Sequence, residues 1–254
     1  MRVFLTVAYD GTNYHGWQLQ PNGITIESVL NQALSDLLGE EIAVIGASRT
    51  DAGVHSLGNA AVFDTNTKIP ADKISYALNR RLPEDIVVQE SKEVAPHFHP
   101  RRCDSRKTYE YRILNRGFND PMRRHHTHFF HYSLDEGRMQ KAAQYLVGEH
   151  DFKSFCSIHA EVLTTVRTIY EANVRRKKDE IIIRISGNGF LYHMVRIIAG
   201  TLIQVGNGVI EPERMEEILL AKDRSAAGPT APAKGLTMTG IVFRDSCFFG
   251  QPVL

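Results

Sequence analysis

Twice along this chain the hydrophobic period changes in the same order, strand, helix, strand, strand, helix, strand, and few folds accommodate that order. Residues 2–10, RVFLTVAYD, alternate as a strand. TIESVLNQALSDLLG then sets Ile26, Val29, Leu30, Ala33, Leu34, Leu37 and Leu38 on one helical stripe, with Thr25 as N-cap and Gly39 as terminator. EIAVIGA and GNAAVFD read as short strands, PADKISYALNRRL as a helix opened by Pro70, and DIVVQESKEV as a closing strand. In the second half RKTYEYRILN alternates as a strand, and Ser133 with Glu136 spells a capping box for a helix running to Val147 and stopped by Gly148. Strands in LTTVRTIYEANVRR and DEIIIRISG follow, then a helix in FLYHMVRIIAGTLIQVG, an acidic helix in EPERMEEILLAKD, a loop at 223–235 and a last strand in TGIVFRD. No fixed-period repeat accompanies the repeated order.

The expected fold class is therefore α+β. Two ferredoxin-like (βαββαβ) units, residues 1–100 and 101–254, each carry helices on one side of an antiparallel sheet, and the two sheets join edge to edge into an extended sheet with a central cleft. A length of 254 residues with 43% hydrophobic content supplies enough core for both.

Between two strands of the first half lies GASRTDAGVHSLG, residues 46–58, framed by Gly46, Gly53 and Gly58. Such a loop allows positive φ and close backbone approach, so it can aim Asp51 in one direction. The charge of Arg49 beside it favours an ionised carboxylate, which suits a nucleophile or base rather than a proton donor. The plainer reading has Asp51 bracing its own turn while Arg49 pairs with it.

The net charge of +1 conceals an uneven distribution. From His97 to His131 eight basic residues (Arg101, Arg102, Arg106, Lys107, Arg112, Arg116, Arg123, Arg124) stand against Asp104, Glu110 and Asp120, a surplus of five that leaves the rest at 1 − 5 = −4. Interleaved with Tyr109, Tyr111, Phe118 and histidines, that segment has the composition of a nucleic-acid face. A solvated basic surface has the same composition.

Several chemistries find no support. Cys103, Cys156 and Cys247 lie far apart without a CxxC pair, against a disulfide framework or zinc site, and read as reduced. His159 and Glu161 spell the HxE of zinc deaminases, but no PCxxC accompanies them. The His125–His131 cluster offers metal ligands in His126, His128 and His131, although solvated or RNA-facing histidines are commoner. GNG at 187–189 lacks the rest of a dinucleotide fingerprint, and there is no Walker sequence. No cofactor and no metal are implied. The apolar runs are interrupted by His193 and Arg196, and the N-terminus has no signal-peptide pattern, so a cytoplasmic protein without membrane association is expected.

Six blocks in order, YDGTNYHGWQLQ, GASRTDAGVH, KTYEYRILN, GEHDFKSF, NGFLYHMVRIIAGTL and APAKGL, resemble the tRNA pseudouridine synthase A family from Tyr9 to Leu236. The resemblance implies two ferredoxin-like units and isomerisation of uridine to pseudouridine at positions 38, 39 and 40 of the tRNA anticodon arm by a homodimer. It implies that Asp51 is the catalytic aspartate and that Arg49 helps displace the target nucleotide. Tyr109 then stacks on the uracil, Arg196 holds the aspartate from below, and Leu236 contacts the base. Ser48 stands where the family more often has glycine, Ile24 replaces a commonly basic residue, Thr237 follows GL where an aromatic is usual, and PRRCD falls in a variable stretch. These departures touch RNA contact rather than chemistry. Two further classes stay open: a tRNA-binding protein of the same fold without catalysis, and metal-dependent hydrolysis or deamination through the histidines.

Overall fold

In the computed structural model the first strand, β1 (Arg2–Tyr9), sorts its side chains as its alternation demands. Val3, Leu5, Val7 and Tyr9 are buried on one face, and Phe4 is buried in a separate cluster. The first face is covered by α1 (Ile26–Leu38) through Ile26, Leu30, Ala33 and Leu34, and by α2 (Ala71–Leu78) through Ile74 and Leu78. The start of α1 is closed reciprocally: the Ser28 amide donates to the Thr25 hydroxyl at 3.2 Å and the Thr25 amide donates to the Ser28 hydroxyl at 3.0 Å. Gly39 ends the helix in the left-handed region with φ 70°.

The described residues are 1–158, 162–244 and 247–248, so the HxE stretch at 159–161 lies outside them. They form two compact units, Met1–Ser105 together with the chain from Met238, and Arg106–Thr237. In the first, β4 (Ile86–Val94), β1 and β3 (His55–Asp64) lie side by side and antiparallel, with short β2 (Ile45–Gly46) also against β3. Strand β10 (Leu236–Phe243) neighbours β3 as well. Phe4, Phe98, Phe243 and Phe248 pack together on one side, with the Phe98 and Phe248 rings stacked at 5.0 Å.

In the second unit β5 (Ser105–Asn115), β9 (Glu180–Gly187), β8 (Val166–Lys177) and β7 (Gly148–Asp151) follow one another antiparallel, and β6 (His128–Phe130) runs parallel to β5. Helix α3 (Glu136–Gln144) packs on β8 and on α4 (Met194–Gly206), and α5 (Arg214–Ala221) follows. Little of α4 meets water, because the loop after α5 crosses it: the Gly228 amide donates to the Thr201 hydroxyl at 2.9 Å and the Ala231 amide to the Arg196 carbonyl at 3.0 Å.

The chain is thus mixed α+β with mostly antiparallel strands. Its division departs from the expected boundary of 101–254. Residues from Met238 group with the first unit, since β10 lies beside β3 and Phe243 enters the Phe4–Phe98 cluster. Asp135, not Ser133, caps α3 by accepting from the Arg138 amide at 2.9 Å; it stands two residues closer to the free amides. Of EIAVIGA only Ile45 and Gly46 pair as strand, while β3 starts three residues before the expected GNAAVFD, directly behind the glycine-rich loop. Among the described residues no helix is long and apolar enough to cross a membrane.

Candidate active site

The loop between β2 and β3 carries Arg49 and Asp51, and its backbone is tied down on both sides. The Ala47 amide donates to the Ala60 carbonyl at 2.7 Å. Fully buried Asn59 accepts from the Ser48 amide at 3.2 Å and donates to the Ser48 carbonyl at 2.9 Å. On the other side the Trp17 amide donates to the Thr50 carbonyl at 3.0 Å, the Val54 amide to the Asp51 carbonyl at 3.1 Å and the Gly53 amide to the Tyr14 carbonyl at 3.2 Å. The Thr50 and Tyr9 hydroxyls are 2.8 Å apart in the interior. Two glycines make the arrangement possible. Gly53 turns the loop with φ 75°, and Gly16, with φ 86°, lies so near that a Cβ there would stand 2.5 Å from the Thr50 carbonyl oxygen. The YHGW block is therefore a buttress for the aspartate loop.

Asp51 is half-buried and Arg49 exposed. Arg49 has no ion pair among the described residues. The reading in which Arg49 pairs with Asp51 to hold the turn does not apply: backbone bonds brace it, and the guanidinium is left for something else. Near Arg49 stands Arg101, whose Nε donates to the Gly46 carbonyl at 2.7 Å. Dehydration lowers the Arg101 pKa, the charge of Arg49 lowers it further, and Glu27 partly opposes both. The same positive field, after burial, depresses His99 through Arg102 and Arg101.

Tyr109, Arg196 and Leu236 belong to the second unit. Tyr109 is two residues from Tyr111 on β5 and so on the same face. It is 8% exposed, with the Phe190 ring edge-on at 5.0 Å. Tyr111 is fully buried and donates its hydroxyl to the Pro232 carbonyl at 2.9 Å; burial raises its pKa and the charge of Arg196 opposes the rise. Arg196, in the first turn of α4, donates from Nε to the Ala231 carbonyl at 2.8 Å. Leu236 is buried where the chain leaves a 3-10 turn (Ala233–Gly235) to begin β10. The 229–235 stretch, part of the loop expected at 223–235, is what positions both Arg196 and Leu236.

The basic segment is less open than its composition implies. Arg106 pairs with Glu171 at 2.9 Å, Arg112 with Glu110 at 2.9 Å, and Arg116 with Asp179 at 3.3 Å. Arg123 reaches Asp120 at 2.9 Å, Asp179 at 2.6 Å and Glu180 at 3.1 Å. Glu171, Asp179 and Glu180 lie outside the segment and offset part of its charge across the sheet. Among the described residues Arg101, Arg102 and Arg124 have no carboxylate partner.

Of the histidines, His128 packs on Tyr111 at 6.3 Å between ring centres and on Phe130, and burial with the charge of Lys234 holds its pKa down. His131 lies against Tyr132 at 3.8 Å. The three cysteines are free thiols. Burial raises Cys156, and burial with a bond to Cys247 raises Cys103 to about 11, so neither is a ready thiolate at neutral pH.

Sequence reasoning did not single out Gly16 and Trp17 as supports or Arg101 as a neighbour of the loop. The glycine of the YHGW block was the signal for the first two, since glycine is the residue that allows positive φ and close backbone approach. Only pairing could separate Arg101 from the other arginines.

A family model described as tRNA pseudouridine synthase matches residues 5–101 and 142–244. The chain is 49% identical over 241 residues to a tRNA pseudouridine synthase A of Thermoanaerobacter sp., covering 95% of this chain and 99% of the relative. It is 49% identical over 243 residues to that of Ruminiclostridium cellulolyticum and 47% identical over 242 residues to that of Brevibacillus brevis, with the same coverage of each. Taken together with the braced aspartate loop, these matches mean that the chain belongs to the tRNA pseudouridine synthase family.

Proposed function

We propose that this protein isomerises uridine to pseudouridine at positions 38, 39 and 40 of the tRNA anticodon arm, with Asp51 as the catalytic carboxylate. The observation that carries the reading is the loop itself: main-chain bonds to Trp17 and Tyr14, the Asn59 side chain and the Thr50–Tyr9 hydroxyl pair hold it, so the Arg49 side chain is not consumed in holding it. The reaction breaks the bond from ribose C1′ to uracil N1, turns the base, forms the bond from C1′ to C5 and releases the C5 proton. No electrons are gained or lost. An ionised carboxylate serves either as a nucleophile at C1′ or as a base toward the C2′ proton, and both routes use one aspartate.

The target base must first leave its stack. Flipping costs a few kcal/mol, and stacking on one aromatic ring returns about 1–3 kcal/mol, so Tyr109 as platform roughly balances the cost. Leu236 supplies an apolar contact to the base, Arg49 takes the space the nucleotide leaves, and Arg196 is the basic residue of the site. Most of the affinity then comes from phosphate contacts, and recognition follows RNA shape more than base sequence. We also read both units as ferredoxin-like, in line with the strand order β4-β1-β3 and β2 on β3 in the first. We read the working form as a cytoplasmic homodimer that grips tRNA jointly.

The test is incubation of transcribed tRNA with the protein and no cofactor, followed by chemical mapping of pseudouridine. Modification confined to positions 38–40 is expected. Tight binding with no pseudouridine would replace this reading with that of a non-catalytic tRNA-binding protein.

A further inference from the structure

Resting on the function proposed above, we infer that Arg101 is a phosphate-binding residue that grips, through its two terminal amino groups, a backbone phosphate of the RNA beside the target nucleotide. Its Nε is committed to the Gly46 carbonyl at 2.7 Å, which fixes the guanidinium plane at the root of the aspartate loop. Neither terminal nitrogen has a hydrogen-bond partner among the described residues, and no carboxylate pairs with Arg101. What remains is a planar fork with its outer edge unused, the shape that meets two oxygens of one phosphate.

Energetics favour the same occupant. Arg101 is partly dehydrated and faces a second guanidinium, Arg49, which likewise has no acidic partner; Glu27 is the acidic group acting on it. Like charges held together with water partly stripped away are unfavourable in the empty protein, and a bound anion removes that cost. A phosphodiester suits a strand whose ribose is presented to Asp51, because flanking phosphates come with the substrate. The contrast with Arg123 supports this, since three carboxylates occupy that fork and leave nothing for a ligand. Arg101 is thus a positioning residue that holds the strand while Asp51 acts.

Equilibrium binding of tRNA is measured across a salt series for the wild type, Arg101→Gln and Arg101→Lys, with a thermal melt of each. Arg101→Gln is expected to bind about tenfold more weakly at low salt and to lose about 0.7–0.9 from the slope of log K against log salt, one phosphate's share. Arg101→Lys keeps the slope. An Arg101→Gln protein with the wild-type slope overturns the inference, because a residue that merely braced β2 would change affinity or melting without changing the number of phosphates neutralised. Should Arg101→Gln fail to fold, wild-type protein is titrated with tRNA bearing one neutral methylphosphonate on either side of the target uridine. A slope reduced by the same amount at one of them supports the inference, and an unreduced slope at both overturns it. A wild-type protein that makes no pseudouridine would instead count against the proposed function.

Discussion

Two sets of arginines, counted alike in the composition, have opposite surroundings. Around the 116–130 stretch Arg123 is saturated by Asp120, Asp179 and Glu180, and Arg116 shares Asp179. There the cation is itself the brace, joining a long loop to the β8–β9 turn. Around the aspartate loop the brace is the backbone of Trp17 and Tyr14 with the side-chain amide of Asn59, and Arg49 and Arg101 are left without carboxylates. A protein that spends an arginine on its own acids cannot also spend it on phosphate. Counting basic residues along a segment therefore overstates a nucleic-acid face, and ion-pair status identifies which of them remain available.

The contrast can be broken from the loop side first. Gly16→Ala forces a Cβ to within 2.5 Å of the Thr50 carbonyl at a positive φ, so stability is expected to fall by about 2–4 kcal/mol and the isomerisation rate with it, read by denaturant unfolding and turnover. Arg49→Ala should separate the two properties. Turnover falls on the order of 100-fold while the melting temperature stays within about a degree, because no intramolecular partner is lost. A melting temperature that drops along with activity would mean Arg49 is a brace after all.

The opposite pattern is expected at the salt-bridged loop. Asp179→Asn should lower the melting temperature by at most a few degrees and leave turnover intact, since it removes a partly exposed pair. The smallest effect is in pH. Arg123 holds the Asp179 carboxyl down at about 2 from an ordinary 3.8, a depressed folded-state value. The pairing thus adds stability in full above about pH 4 and loses it as pH falls toward 2. Acid titration of unfolding should show that loss in the wild type and less of it in Asp179→Asn.

Elements whose signals are local were legible in the sequence. Helix α1 carries its cap, stripe and terminator within fifteen residues, and the structure places all three as read. Signals that depend on distant partners were not. Ser133 and Asp135 both offer an oxygen to the start of α3, and only the chain path into the helix decides for Asp135. The return of β10 to the first unit depends on Phe243 finding Phe4 and Phe98, which no local pattern states. Part of the charge of 97–131 is offset by acids more than fifty residues away, so Arg101 could not be told from Arg123 by composition. At the site, Asp51 stood out through its glycine-rich frame. Its true supports, Gly16 and Trp17, lie more than thirty residues upstream.

The central claim is that Asp51 is the group that drives the isomerisation. Tritium release from tRNA labelled at uridine C5 measures that step directly, because the proton leaves only after the new carbon–carbon bond has formed. The account predicts steady release by the wild type without added cofactor, and none above background by Asp51→Asn, a variant of matching size. Undiminished release by Asp51→Asn would contradict it.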